Sequence, residues 1–119
     1  MIDNIEWDVA VAGFRIGEKL TYNDLLYGAM LPSGADAVNA LALSIGKTYP
    51  NFVKMMNDEA KAIGAKNTHF NNPHGLPDEN HYSTAYDMAL LARECIKNPE
   101  FSAMCSQKSA RVTYGNPPY

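Results

Sequence analysis

One short segment interrupts the helical pattern of this 119-residue chain and fixes where two helices must meet. Apolar residues at helical spacing run from Leu25 to Met30 and stop at Pro32, because proline cannot continue a helix. The helical pattern starts again directly after Ser33 and Gly34. The segment therefore predicts a corner between two helices, with one serine hydroxyl at its mouth.

Three helix starts are marked by a hydroxyl residue followed three positions later by an acidic residue, the spacing of a capping box. The three pairs are Thr21 with Asp24, Ser33 with Asp36, and Thr84 with Asp87. We expect Ser33 to be the N-cap of the second helix, a role worth about 1 kcal/mol. An N-cap serine still leaves its oxygen accessible, so this structural role is compatible with a chemical one.

Glycine and proline divide the remainder of the chain. The second helix is expected to end at Gly46 in the left-handed conformation. Three further helices are expected from Pro50 to Gly64, from Thr84 to Asn98, and from Pro99 to about Cys105. The apolar stripe of the fourth helix comprises Ala85, Met88, Ala89, Ala92 and Ile96. The fold class is therefore mainly α: one small helical bundle over residues 1–119, with extended tails at 1–20 and 108–119 and a weak strand pattern at Arg111–Tyr114.

Composition excludes several classes of function. The net charge of −3 and the lack of a basic stripe argue against a nucleic-acid partner. No apolar run reaches the ~18 residues of a membrane span, and no leader opens the chain, so an export signal would have to lie on sequence outside it. Two cysteines, Cys95 and Cys105, are too few for a disulfide framework, and we expect free thiols.

Two other patterns suggest chemistry that their context does not support. Ser44 and Lys47 match Ser-x-x-Lys, a nucleophile motif that requires serine at the start of a helix, whereas Ser44 lies near a helix end. Polar residues of the long loop, His69, His74, Asp78, Glu79 and His81, lack the tight spacing that zinc needs. We interpret the first as a chance match and the second as a polar surface loop without a metal site.

Several segments, taken in order, resemble the penicillin-binding D-alanyl-D-alanine carboxypeptidases of bacterial cell walls. The similarity covers about residues 13–109. The matching pieces are residues 17–21, 24–28, Leu31–Gly34 with Asp36–Ala37, 57–64, 67–70, Asn72–Leu76 and His81–Ala89. Each piece is short, and the specificity of the resemblance lies in the ordered set.

The resemblance implies a serine acyl-enzyme that removes the terminal D-alanine from peptidoglycan stem peptides and is acylated by β-lactams, without a cofactor or metal. It also implies the helical lobe of a β-lactamase-like and transpeptidase-like fold whose sheet lobe is missing, acting outside the cytoplasm. Of the family's three motifs, Ser-x-x-Lys, Ser-x-Asn and Lys-Thr-Gly, only the second maps to this chain, at Ser33-Gly34-Ala35. By this resemblance Ser33 relays a proton toward the leaving amine, and Gly34 and His74 contribute to substrate binding.

Ala35 departs from the family pattern, because alanine offers no amide to bind substrate or lysine. The isolated chain is expected to be inactive, since it lacks the other two motifs. Two alternatives stay open at this point. The chain could derive from a catalytically dead relative that binds peptidoglycan or a partner protein, or it could be an unrelated helical interaction module.

Overall fold

The computed structural model describes residues 10–15 and 17–110. This part of the chain forms five helices, which we number α1 (Tyr22–Met30), α2 (Ala35–Gly46), α3 (Tyr49–Ala62), α4 (Ala85–Ile96) and α5 (Pro99–Cys105). It contains no strand, only one isolated antiparallel bridge between His69 and Tyr82. The mainly helical prediction is confirmed. The strand pattern at Arg111–Tyr114 lies outside the described residues, as do the outer parts of both expected tails.

Two of the three predicted helix caps are present. Thr21 and Asp24 form the complete reciprocal capping box at the start of α1. Thr84 accepts the backbone N–H of Asp87 at the start of α4, at 3.1 Å. The Asp87 carboxylate, however, binds elsewhere: its Oδ2 accepts from Asn67 N at 2.8 Å and from Thr68 Oγ1 at 2.7 Å. This aspartate, 1% exposed, therefore joins α4 to the loop that precedes it.

The prediction that Ser33 caps α2 is wrong. The helix begins at Ala35, its N-cap residue is Gly34, and no side chain caps it. The expected partner, Asp36, does not bind Ser33, because backbone N–H groups from residues 12–14 occupy its carboxylate. The sequence predicted the start of α2 to within two residues, but the expected side-chain cap by Ser33 is absent.

The turn between α2 and α3 also differs from the expectation. Gly46 is the last residue of α2, and the left-handed residue is Lys47, with φ +69°. Glycine is required at position 46 for a different reason, since a Cβ there would lie 2.7 Å from the Cβ of Phe52. Asn51 Nδ2 donates to the Gly46 carbonyl at 2.7 Å, which satisfies one of the open carbonyl groups at the end of α2.

The core lies between α1 and α2. Leu25, Ala37 and Leu41 are its buried members, and half-buried apolar side chains surround them: Phe14, Leu20, Ala29 and Ala40. The two helices approach closely because Gly28 has no side chain. A Cβ at that position would lie 2.7 Å from the Phe14 ring and 3.1 Å from Ala37 Cβ.

The apolar stripe of α4, which comprises Ala85, Met88, Ala89, Ala92 and Ile96, is exposed. Met88 and Ile96 are 52% and 64% exposed. The hydrogen bonds of Asp87 to residues 67 and 68 turn the opposite face of α4 toward the protein. Within the described residues, no helix combines the length and apolar character needed to cross a membrane.

Candidate functional site

Ser33 occupies the short connection between α1 and α2 and is exposed. Its φ of +57° is in the left-handed region, which residues other than glycine rarely adopt. Such a backbone costs about 1–3 kcal/mol and persists only where the surroundings enforce it. Its hydroxyl has no hydrogen-bond partner among the described residues. The serine is therefore held at a strained corner with its hydroxyl available to solvent.

Four backbone N–H groups surround the carboxylate of Asp36, which lies in the first turn of α2, three residues after Ser33. Oδ1 accepts from Ala12 at 2.8 Å and from Ala37 at 2.9 Å. Oδ2 accepts from Gly13 at 2.9 Å and from Phe14 at 3.0 Å. The carboxylate is 4% exposed, so these charge-assisted bonds replace its hydration. This arrangement, which we call the Asp36 cage, fastens the segment before α1 onto the start of α2.

Gly34 completes the corner and leaves no room for a side chain. A Cβ at this position would lie 2.5 Å from the Gly28 carbonyl oxygen and 2.8 Å from Ala12 N. The Gly34 N–H donates to the same Gly28 carbonyl at 3.0 Å. Gly34 is buried, so its observed contacts are with α1 and the segment before it. These contacts on one side and the Asp36 cage on the other fix the backbone around Ser33.

Ala35, at the third position of the Ser-x-Asn pattern, is 5% exposed. Its N–H donates to the Ala10 carbonyl at 2.9 Å, which adds another bond between the early segment and α2. The position carries only a buried methyl group. No carboxamide is available there for a substrate or a lysine.

The second serine pattern does not form a nucleophile pair. Lys47 Nζ donates to the backbone carbonyl of Ser44 at 3.2 Å. The Ser44 hydroxyl lies 2.7 Å from the Tyr22 hydroxyl on α1. Because the lysine amine binds a carbonyl and the serine oxygen pairs with a phenol, the interpretation of this motif as a chance match is confirmed.

His74 lies in a tightly organised turn. Asn72 Oδ1 accepts from Gly75 N at 2.7 Å and Asn72 Nδ2 donates to the Leu76 carbonyl at 2.9 Å. Gly75 takes a left-handed φ of +88°, and Leu76 N donates to His74 Nδ1 at 3.3 Å. The polar surface loop expected from the sequence is thus an ordered turn.

This turn forms one wall of a cavity of about 540 Å³. The other walls come from α2 and α3, and the lining residues are Asn39, Tyr49, Pro50, Val53, Asn71, Asn72, Pro73 and His74. Ser33 and Gly34 are not among them, so the structure puts two of the expected site residues at the corner and the third at this cavity. Burial raises the pKa of the Tyr49 phenol above its ordinary value of 10.0. The phenol therefore remains protonated at neutral pH.

Sequence reasoning missed Asn39 and Tyr49 because neither belongs to a motif. The signal for Asn39 is its position: a polar residue one turn after Ala35 within the apolar pattern of α2. Among the described residues, no group of three or more His, Cys, Asp or Glu side chains could hold a metal ion. Cys95 and Cys105 are both free and exposed.

Comparison with known proteins relates this geometry to a family. The family described as Peptidase_S11, D-alanyl-D-alanine carboxypeptidase, matches residues 4–116. The D-alanyl-D-alanine carboxypeptidase DacF of Bacillus subtilis is 49% identical over 81 residues, which are 68% of this chain and 21% of that protein. The chain thus spans about a fifth of that relative.

Solved structures agree with the sequence comparison. A serine-to-alanine variant of a Streptomyces DD-transpeptidase superposes with a TM-score of 0.87 at 33% identity, over 90% of this chain and 44% of that one. A D-alanyl-D-alanine carboxypeptidase from Mycobacterium tuberculosis gives a TM-score of 0.86 at 31% identity, over 98% of this chain and 44% of that one. The five helices are therefore the helical part of a larger DD-peptidase fold, and the chain belongs to the D-alanyl-D-alanine carboxypeptidase family.

Proposed function

We propose that this chain is the helical part of a serine D-Ala-D-Ala carboxypeptidase that removes the terminal D-alanine from peptidoglycan stem peptides. Membership of the family and its relatives' names support the reaction. Peptidoglycan and β-lactams are then the partners of the whole enzyme, which works outside the cytoplasm, on the cell-wall side. The alternative of an unrelated helical module is not supported, because the family match extends over residues 4–116.

The reaction proceeds through an ester. A serine hydroxyl supplied by another part of the enzyme gives up its proton, its oxygen bonds to the carbonyl carbon of the penultimate D-alanine, and the peptide C–N bond breaks. The leaving amine takes up a proton and departs as free D-alanine. Water then attacks the ester, which releases the shortened peptide and restores the serine hydroxyl. We assign Ser33 to the delivery of the proton to the leaving amine.

The observation that carries this assignment is the strained, exposed backbone of Ser33 between α1 and α2. Strained residues of this kind cluster at active sites and ligand clamps, and Ser33, unlike the other such residue, Lys47, also lies on the Ser-x-Asn pattern. The hydroxyl is not used for capping, and no described residue binds it. A hydroxyl can accept one proton while donating another, which is what a relay requires.

Labelling with a fluorescent penicillin tests the proposal. The chain alone should not be acylated, because a serine nucleophile needs an adjacent base and Ser33 and Ser44 lack one. A longer polypeptide that joins this chain to a Ser-x-x-Lys segment and a Lys-Thr-Gly segment should be labelled stoichiometrically. Labelling of the chain alone at either serine, or no labelling of the longer polypeptide, would contradict the proposal.

Ala35 favours a second candidate, a relative that binds peptidoglycan or a partner protein without catalysis. The buried methyl group at this position cannot supply the amide of the Ser-x-Asn pattern. Turnover separates the two candidates. A longer polypeptide that binds penicillin or peptidoglycan but releases no D-alanine would support the binding function.

A further inference from the structure

We propose that the outward-facing side of α4 is an internal docking surface, covered in the whole enzyme by an apolar α-helix from a part of the polypeptide outside these 119 residues. This surface, which we call the outer face of α4, comprises Ala85, Met88, Ala89, Ala92, Cys95 and Ile96. The resemblance implies a missing sheet lobe, and the outer face adds that a helix is missing from the helical part as well. The inference rests on the fold and on family membership, and does not depend on the proposed reaction.

Exposure of the outer face is the central observation. All six of its residues are exposed, so no described element covers them. The opposite side of α4 faces the protein: Asp87 is buried, and Leu90 and Leu91 are half-buried. A surface helix normally turns its apolar side inward and its polar side to solvent. Because α4 carries apolar side chains on both sides, it has the character of a helix that lies inside a protein.

The spacing of the outer face selects a helix as its occupant. The face repeats after seven residues, as Ala85 with Ala92, Met88 with Cys95, and Ala89 with Ile96. These are positions a, d and e of a heptad, the pattern of a helix that packs along another helix. The three alanines leave room for a second helix axis to approach to about 8 Å. No charged residue belongs to this face, so a charged occupant would lose its hydration without compensation.

The size of the outer face indicates an occupant on the same polypeptide. A helix of 12 residues is about 18 Å long, and at a diameter of about 10 Å one side of it presents roughly 200 Å². A stable complex between separate molecules buries about 800 Å² on each partner. The face alone is therefore too small to hold a second copy of this chain. A tethered helix is held more easily, because its effective concentration at the face is high.

The related fold has enough additional chain to supply this helix. The Streptomyces DD-transpeptidase matches 90% of this chain over only 44% of its own length. More than half of that protein therefore has no counterpart among these residues. A covering segment outside the 119 residues is thus consistent with the fold that the chain shares.

Alkylation of Cys95 by N-ethylmaleimide tests the inference, because this free thiol belongs to the outer face. Rates are compared in the 119-residue chain and in a longer polypeptide that joins it to the Ser-x-x-Lys and Lys-Thr-Gly segments, both with Cys105→Ser. We expect Cys95 to react at least about tenfold more slowly in the longer polypeptide, where reaction requires local opening. The control, Glu59→Cys with both native cysteines replaced by serine, places a thiol at an exposed position of α3 and should react equally fast in both.

A matched pair of variants gives a second measurement. Ala92 and Ala62 are both exposed and lie in the last turns of their helices. Ala92→Glu should change the melting temperature of the 119-residue chain little, because the carboxylate remains in water. In the longer polypeptide the same change should lower the melting temperature by several degrees or prevent folding, because it buries an unpaired charge. Ala62→Glu should have little effect on either polypeptide.

Cross-linking identifies the occupant. A benzophenone maleimide attached to Cys95 of the longer polypeptide should capture a peptide from outside residues 1–119, with apolar residues three and four positions apart. Capture of a peptide with the alternating pattern of a strand would contradict the assignment of a helix. A longer polypeptide that protects Cys95 but releases no D-alanine would refute the proposed reaction and leave this inference intact.

Three further results would overturn the inference. The first is that Cys95 reacts equally fast in both polypeptides. The second is that Cys95 already reacts slowly in the 119-residue chain, which would assign the face to a second copy if sedimentation shows a dimer, and to a segment of this chain if it shows a monomer. The third is that Ala92→Glu leaves the melting temperature of the longer polypeptide unchanged.

Discussion

Replacing Asp36 with asparagine keeps the shape of the side chain but leaves two of the four backbone N–H groups without an acceptor. The carboxylate accepts two N–H groups on each oxygen, at 2.8–3.0 Å. Asparagine retains one oxygen, and its NH₂ group then faces two donors it cannot accept. A hydrogen bond to a charged group is worth about 1.5–3 kcal/mol, so the loss of two predicts a cost of about 3–6 kcal/mol.

That cost is large for a domain whose total stability is about 5–15 kcal/mol. At about 4 °C per kcal/mol, the melting temperature of Asp36→Asn should fall by roughly 10–25 °C. Thermal unfolding followed by circular dichroism measures the fall. Hydrogen exchange gives a second readout: the amide protons of residues 12–14 should lose protection before those of α3.

A matched control isolates the effect of burial. Asp58 forms an exposed i,i+4 ion pair with Lys54, and its hydrogen bond to that lysine lowers the pKa of the carboxyl. Asp58→Asn should leave the melting temperature essentially unchanged, since exposed pairs contribute little. The reasoning is refuted if Asp36→Asn melts within a few degrees of the parent, or if the amides of residues 12–14 keep their protection.

Three further predictions follow from the corner and the cavity. Ser33→Val should lower the free energy of unfolding by about 1–2 kcal/mol, because β-branched residues tolerate positive φ poorly, whereas Ser33→Asn should not; equal melting temperatures would contradict the left-handed assignment. Gly34→Ala should cost about 2–3 kcal/mol in urea unfolding, because its Cβ meets backbone atoms, and a near-parental midpoint would show that the corner can move. Burial raises the pKa of the Tyr49 phenol, so the unfolded chain releases this proton at a lower pH than the folded chain does. The free energy of unfolding should therefore be retained below pH 10.0 and decline above it. The decline should be smaller in Tyr49→Phe, and equal declines in both chains would refute this assignment.

The features that were predicted correctly from the sequence are those that depend on residues close together in the chain. The capping box of Thr21 and the N-cap of Thr84 are read from residues three positions apart, and both are present. Helix ends at Pro32 and Gly64 follow from the same local chemistry. α3 ends at Ala62, two residues before the predicted stop at Gly64, which adopts a left-handed φ of +88°.

The features that failed depend on residues far apart in the chain. Asp36 binds N–H groups 22–24 positions earlier, and no periodic pattern announces such a contact. The orientation of α4 is set in the same way, by the bonds of Asp87 to a loop about 20 positions earlier, which left its apolar stripe exposed. The cavity of about 540 Å³ forms only because the turn at residues 71–74 packs beside α2 and α3. These three features could be identified only from the three-dimensional structure.

The proposed proton relay at Ser33 is tested most directly by the rate of D-alanine release from a longer polypeptide that contains this chain and the two further motifs. Loss of a positioned proton-transfer group typically costs ~10²–10⁴-fold, and Ser33→Ala should show a fall of that size. The melting temperature should not change, because no described residue bonds to the hydroxyl. Ser44→Ala, which removes a hydroxyl paired with Tyr22, is the control and should keep its turnover. Near-normal turnover in Ser33→Ala would contradict the relay and leave Ser33 without a catalytic role.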